Sequence, residues 1–280
     1  MTLDAIRSQS GYSLISLADP LSVAEHAGLS LQQPESEERV SAIITEATKV
    51  LAPHTTGVCL APDVGFSAVV ELPKTVGVVF ELSDMVRAKD PLTVPVLAQT
   101  WGVEQTRNNY GLAKLELYYN PQEEDARSKK QMVIELADYC RHEGIAFIID
   151  LVLYLETAKE KYQAQFLELQ LDSIQELQEY CDLILLEYPV DPLSAVTLTA
   201  GLDIPWLVSG RGVAYEVFKE QVRVSLESGA QGYVMTSQLL PDEVPHEQRS
   251  SEHVSNFFAT TARDRVIELE RIVEEVAEQV

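Results

Sequence analysis

The most constraining feature of this sequence is an alternation between two kinds of segment. Eight short runs rich in apolar and β-branched residues are separated by longer stretches with helical periodicity. Continuous apolar runs of this length are typical of strands that are buried on both faces of a parallel sheet. The predicted strands cover residues 12–18, 56–61, 76–80, 112–119, 145–150, 183–187, 205–209 and 232–235.

The intervening stretches predict helices, of which three are best marked: 36–51, 125–143 with Gly144 as its C-cap, and 214–227. Each strand–helix unit occupies about 30 residues. Eight strands in strict alternation favour a closed (β/α)8 TIM barrel over an open sheet. We expect residues 1–280 to form one domain, with one or two closing helices over 254–280. The stretches 32–35 and 241–251 are the most loop-like.

The charge balance narrows the possible partners. The formal net charge is −23, which repels nucleic acids and anionic membranes, so neither is expected as a partner.

The first ten residues contain no apolar core of a secretory signal. Cys59, Cys140 and Cys181 are scattered, which suits a reducing compartment, and we expect a cytoplasmic protein. The spacing of Cys and His predicts no metal site. The sequence has no Walker loop and no GxGxxG segment, and we expect no cofactor.

Charged residues lie at the ends of several predicted strands. In a barrel these ends meet at the C-terminal face, where catalytic groups gather. They are Asp19, Asp63, Glu81, Lys114, Glu116, Asp150 and Glu187.

Lys114 is the most informative, because it sits among apolar residues and shares a strand face with Glu116. It fits either a structural ion pair or an active-site group. The other lysines lie in helical or loop segments (Lys49, Lys129, Lys130, Lys159, Lys161, Lys219) or flank the third strand (Lys74, Lys89).

A second signal follows the seventh strand, where Ser209, Gly210, Arg211 and Gly212 form an SGRG segment. Barrels often bind phosphate here, because glycines let the backbone approach an anion and an arginine neutralises it. The alternative is a tight strand-to-helix turn. The five histidines are expected at the surface: His26, His54, His142, His246 and His253.

The chain resembles the tagatose-bisphosphate aldolases, and nearly as closely the sulfofructose-phosphate aldolases, both class I aldolase barrels. The similarity runs from about residue 11 to residue 240. It rests on the order and spacing of several segments, including 51–54 with 58–65, 113–119, 147–151, 182–189 and 204–218. This resemblance implies a lyase that forms a Schiff base with a small sugar or sugar-phosphate carbonyl compound and needs no cofactor.

Several positions match that family and several depart from it. Asp19 and Lys114 match the acid of strand one and the lysine of strand four, and Asp150 stands where the family has a glutamate. On strand six Glu187 is kept, but Leu185 occupies the position of the Schiff-base lysine. Leucine cannot form an imine.

Two further segments differ. Thr236 and Ser237 replace a phosphate-binding Gly-Arg, and Pro20-Leu21-Ser22 replaces a Gln-Arg-Gly. Without the arginine clamp, bisphosphates are expected to bind poorly, with at most one anionic group near Arg211.

Three functional hypotheses follow. In the first, Lys114 is the nucleophile of an aldolase-like lyase; transaldolases resemble this arrangement, with acids and a lysine on the strands that here carry Asp19, Glu81 and Lys114. In the second, carboxylates catalyse an isomerisation. In the third, an inactive barrel binds a ligand or a protein partner. A homo-oligomer is possible in each case.

Overall fold

The computed structural model describes residues 1–86, 93–154, 159–241 and 244–279. Eight parallel strands close into a barrel in the order in which they occur along the chain, which confirms the predicted TIM-barrel fold. The strands are β1 Tyr12–Leu17, β2 Gly57–Leu60, β3 Gly77–Glu81, β4 Gly111–Tyr119, β5 Phe147–Leu153, β6 Leu183–Glu187, β7 Trp206–Ser209 and β8 Gly232–Met235.

Helices connect these strands on the outside of the barrel. They are α1 Pro20–His26, α2 Pro34–Leu51, α3 Pro62–Gly65, α4 Val103–Asn108, α5 Ala126–Glu143, α6 Lys159–Leu177, α7 Pro192–Ala200, α8 Tyr215–Glu227, α9 Ser251–Phe257 and α10 Arg263–Ala277. A π-helical turn, Phe258–Ala262, joins α9 to α10. No helix in the described ranges is long and apolar enough to cross a lipid bilayer.

Several boundaries differ from the sequence-based expectation, and three of the differences have a clear physical reason. The stretch 32–35 was expected to be a loop, but α2 begins at Pro34, because the fixed φ of proline suits the first turn of a helix. β5 continues to Leu153, since the chain stays apolar after Asp150. The helix predicted from residue 254 begins at Ser251 with Ser250 as its N-cap. Gly144 is the left-handed C-cap that was predicted, with a φ of 67°.

Two apolar cores hold the barrel. A larger one lies between the strands and the surrounding helices. A smaller one fills the barrel interior with side chains from alternate strand positions, among them Leu14, Cys59, Val79, Leu112 and Leu183. This interior packing closes the N-terminal end of the barrel. Polar and charged side chains at the C-terminal ends of the same strands therefore meet in one place.

Candidate active site

The register of β3, β4 and β5 brings the charged residues together. Glu81 is the register partner of Lys114, and Glu116 is the register partner of Asp150. The two-residue period of a strand places Lys114, Glu116 and Tyr118 on the same face of β4. All three side chains line a cavity at the C-terminal mouth of the barrel.

Lys114 is buried, with 2% of its surface exposed. Its Nζ lies 2.7 Å from Glu81 Oε2 and 2.9 Å from Asp150 Oδ2. Burial by itself would lower the pKa of Lys114, but the carboxylates of Asp150 and Glu81 outweigh that effect and raise the pKa above its usual value. In the resting protein this lysine is therefore an ammonium ion.

Glu81 is fully buried and held on both of its oxygens. Its Oε1 accepts hydrogen bonds from the Ser83 N–H at 3.0 Å, the Ser83 hydroxyl at 2.6 Å and the Glu116 N–H at 3.0 Å. Three donors on one oxygen fix the orientation of the carboxylate that faces Lys114.

Asp150 is shared between two cations. Its Oδ2 accepts hydrogen bonds from Lys114 Nζ and, at 3.1 Å, from Arg211 Nη2. Burial would raise the pKa of Asp150, but Lys114 and Arg211 outweigh it and lower the pKa below its usual range. Within the described residues, Oδ1 of Asp150 is buried without a hydrogen-bond partner.

Arg211 comes from the segment after β7 and points back into the mouth. Its Nη2 donates to Glu116 Oε2 at 2.8 Å as well as to Asp150. Burial raises the pKa of Glu116; Arg211 offsets part of this rise, and Asp150 adds to it. Glu116 therefore keeps its proton to a higher pH than an ordinary glutamate.

A family model described as "DeoC/LacD family aldolase" matches residues 26–237. The chain therefore belongs to the DeoC/LacD family of aldolases. The match spans β2 to β8 and includes every residue of the ion-pair cluster described above.

Solved structures support the same fold. A Schiff-base-forming fructose-1,6-bisphosphate aldolase is 15% identical, with 97% of this chain and 98% of that chain covered and a TM-score of 0.65. An archaeal fructose-1,6-bisphosphate aldolase is 14% identical, with coverages of 96% and 98% and a TM-score of 0.63. A fructose-bisphosphate aldolase from Slackia heliotrinireducens is 12% identical, with coverages of 96% and 88% and a TM-score of 0.63.

Two other charged strand-end residues of this DeoC/LacD-family chain, the predicted site residue Asp19 and Asp63, stand apart from the cluster. Asp19 is the exposed N-cap of α1, and its carboxylate accepts hydrogen bonds from the Ser22 N–H and hydroxyl. It lines the cavity, but the structure gives it no bond to Lys114. Asp63 lies in the first turn of α3 and accepts a hydrogen bond from Thr100.

Glu187 ends β6 at partial burial. Burial raises its pKa, although Arg211 and a hydrogen bond from the Leu153 N–H oppose the rise. Among the residues that the structure describes, Glu187 does not line the cavity. Leu185, two residues earlier, is completely buried in the barrel interior beside its register partner Asp150.

One half of the SGRG segment lines the cavity and the other half is held within the fold. Arg211 and Gly212 line the cavity. Ser209 is a buried residue of β7 and Gly210 is bound within the fold: its N–H donates to the Val234 carbonyl and its own carbonyl accepts from the Ser237 hydroxyl. The segment is thus a tight turn that sends Arg211 inward, and the Gly210 N–H is already used.

The cavity has a volume of about 1170 Å³ and includes residues that sequence reasoning missed. His26 was expected at the surface, but it is half-buried on the cavity wall, with Nδ1 2.8 Å from the Ser22 carbonyl oxygen. The signal was its helical spacing, since Asp19, Ser22 and His26 follow one face of α1. Tyr118 and Thr236 are also on the wall.

A second buried lysine lies away from the cavity. Lys129 of α5 is fully buried. Its Nζ lies 2.9 Å from Asp125 Oδ2 and donates to the Tyr154 hydroxyl at 3.1 Å. Lys89, which the sequence placed beside the third strand, lies outside the described residues. Within the described ranges, His, Cys, Asp and Glu side chains form no group of three or more that could hold a metal ion.

Proposed function

We propose that this chain is an aldolase-type lyase that acts on a small sugar or sugar-phosphate carbonyl compound through an imine with Lys114. The observation that carries the proposal is the position of this lysine. Among the described residues that line the cavity, Lys114 is the one lysine, and its ammonium lies between two carboxylates. Catalytic groups of TIM barrels lie at this end of the barrel.

The carboxylates give the lysine a route to its reactive form. An ammonium is not a nucleophile, so Nζ must first pass one proton to a neighbouring acceptor. Glu81 and Asp150 both lie within 3 Å of Nζ. When a substrate displaces water from the cavity, transfer of this proton to a carboxylate replaces a charged pair by a neutral one.

The chemistry then proceeds with atoms and charges in balance. The Nζ amine adds to the carbonyl carbon, and the carbinolamine takes up a proton and loses water to give an iminium ion. Removal of the proton from the β-hydroxyl breaks the adjacent carbon–carbon bond, whose electrons pass into an enamine. An aldehyde leaves, the enamine is reprotonated, and water releases the second product.

Glu116 is suited to the proton transfers in this sequence. It lines the cavity, and its raised pKa makes its carboxylate a better proton acceptor than that of an ordinary glutamate. The free Oδ1 of Asp150 adds an acceptor for a substrate hydroxyl. Both groups support cleavage of the carbon–carbon bond next to the iminium ion.

One observation favours a second candidate, a barrel that binds a carbonyl ligand without turnover. The raised pKa of Lys114 opposes formation of the free amine, and Leu185 stands at the register position beside Asp150. In this case the ion-pair cluster would stabilise the C-terminal mouth of the barrel and orient a bound ligand. No covalent adduct would form.

Exchange of α-hydrogens in deuterated water tests the proposal, because an imine acidifies the carbon next to it. Proton NMR on a panel of small hydroxyketones should show exchange with the wild-type protein and none with Lys114→Met. Lys129→Met is the matched control and should retain exchange. Ligand binding without exchange would support the binding barrel, and exchange that persists in Lys114→Met would support a carboxylate-based isomerase.

A further inference from the structure

Arg211, the cation expected to hold phosphate, is already occupied by the protein itself. Its Nη2 contacts Glu116 Oε2 at 2.8 Å and Asp150 Oδ2 at 3.1 Å. Arginine holds a phosphate by presenting two parallel donors from a free guanidinium edge. The carboxylate of Glu116 stands where such an anion would have to contact Nη2.

The charges along the described part of the cavity wall also disfavour the binding of a phosphate. Four carboxylates line it, from Asp19, Glu25, Glu116 and Asp150, against two cations, Lys114 and Arg211. Each cation is shared with two carboxylates. A phosphate entering this space would meet an excess of negative charge in a partly desolvated setting, where repulsion is strong.

Part of the cavity lining is apolar. It includes Leu21 and Val96, which are about half exposed at the rim, and Phe258, which the π-helical turn holds against the cavity. Leu240 and Pro241 also line the cavity. Apolar walls stabilise a ligand in proportion to the apolar area that they remove from water.

We infer that Glu116 serves as a built-in anion that determines specificity. It occupies Arg211, so that the site takes an unphosphorylated carbonyl compound with an apolar substituent. The inference rests on the proposed function, since the carbonyl group is placed at Lys114. One donor of Arg211, the buried Nε, has no hydrogen-bond partner in the described residues and suits a neutral oxygen of such a substrate.

Titration with inorganic phosphate tests the role of Glu116 without any turnover. Calorimetry should find no saturable binding to the wild-type protein at millimolar phosphate. Glu116→Gln removes one of the two carboxylate charges on Arg211 and should tighten phosphate binding at least tenfold. Glu25→Gln is the matched control: it removes a wall carboxylate that pairs with Arg249 instead, so its effect should be less than twofold.

Two results would overturn this role. One is equal phosphate affinity in Glu116→Gln and wild type, with both variants folded by circular dichroism. The other is saturable binding by the wild type that is lost in Arg211→Gln, and this second result needs no Glu116 variant.

Trapping of aldehydes with borohydride tests the substrate class. Among unbranched neutral aldehydes, the concentration needed for half-maximal labelling of Lys114 should fall about fourfold for each added methylene. Glyceraldehyde 3-phosphate should label far less than glyceraldehyde. Stronger labelling by the phosphorylated aldehyde would overturn the inference and leave the proposed function standing. Absence of labelling by every aldehyde would contradict the proposed function, while the phosphate titration would still decide the role of Glu116.

Discussion

Two lysines of this protein are buried to the same degree but lie in different surroundings. Lys114 is in the mouth of the barrel, between the buried carboxylates Glu81 and Asp150. Lys129 is on α5, where it contacts the part-exposed carboxylate of Asp125 and lies over the ring of Tyr154, with Nζ 5.0 Å from the ring centroid.

The difference shows that burial of a charge does not by itself indicate function. Lys129 is surrounded by the kind of contacts that satisfy an ammonium: an ion pair, a hydroxyl and an aromatic face. Lys114 faces a cavity of about 1170 Å³ and has two carboxylates that can accept its proton. Under the proposed function, open space and proton acceptors are what distinguish Lys114 from Lys129.

The largest expected effect is on catalytic activity, which should depend on Lys114 and hardly at all on Lys129. Lys114→Met should lower the rate of carbon–carbon bond cleavage by at least about a thousandfold, because the nucleophile is lost. Lys129→Met should change it by less than about threefold, since Lys129 is not on the described cavity wall. Steady-state assays of both variants measure these rates. An equal fall in the two rates would contradict the proposed role of Lys114 as the nucleophile.

Stability should change at both sites. Lys114→Met should cost about 3 kcal/mol at neutral pH, because it leaves Glu81 and Asp150 together with one cation fewer. Lys129→Met should cost about 1 kcal/mol, since Asp125 can turn to water. Urea denaturation of both variants measures these losses.

The cost of Lys114→Met should depend on pH. A raised lysine pKa gives stability that is present below the unfolded value of about 10.4 and lost at higher pH. A lowered aspartate pKa gives stability that is present above about 3.9 and lost as the pH falls through the folded value of Asp150. The cost should therefore shrink below about pH 4; a cost that stays constant there would contradict the ion-pair account.

The pH dependence of the reaction should reflect the protonated resting state. Because the pKa of Lys114 is raised, the fraction of free amine grows with pH throughout the neutral and mildly alkaline range. The second-order rate constant should rise with pH and show no plateau near pH 7. A plateau below pH 7 would show that the lysine loses its proton more easily than its two carboxylates allow.

The smallest expected effect concerns Glu187. Burial raises its pKa, so its contribution to stability is complete below the unfolded value of about 4.3 and is lost as the pH rises. Glu187→Gln removes this loss. The variant should be more stable than the wild type by about 1 kcal/mol at pH 8 and equal to it at pH 4. Equal stability at both values would show that this carboxyl is well solvated.

Much of the fold could be predicted from the sequence, because strands buried on both faces leave continuous apolar runs. The strand period also places Lys114 and Glu116 on one face. The contact of Arg211 with Glu116 could not be predicted, because these residues are 95 positions apart and meet only through the path of the turn after β7. Burial of Lys129 had a signal that was missed, since it shares a helix face with Val133, Leu136 and Cys140.

The most direct test of the central claim is to locate the covalent adduct. The wild-type protein is incubated with a carbonyl substrate that undergoes exchange, reduced with borohydride, digested and analysed by tandem mass spectrometry. The account predicts one reduced adduct, on the peptide that contains Lys114, and none in Lys114→Met. An adduct on another lysine, or measurable turnover with no adduct at all, would contradict it.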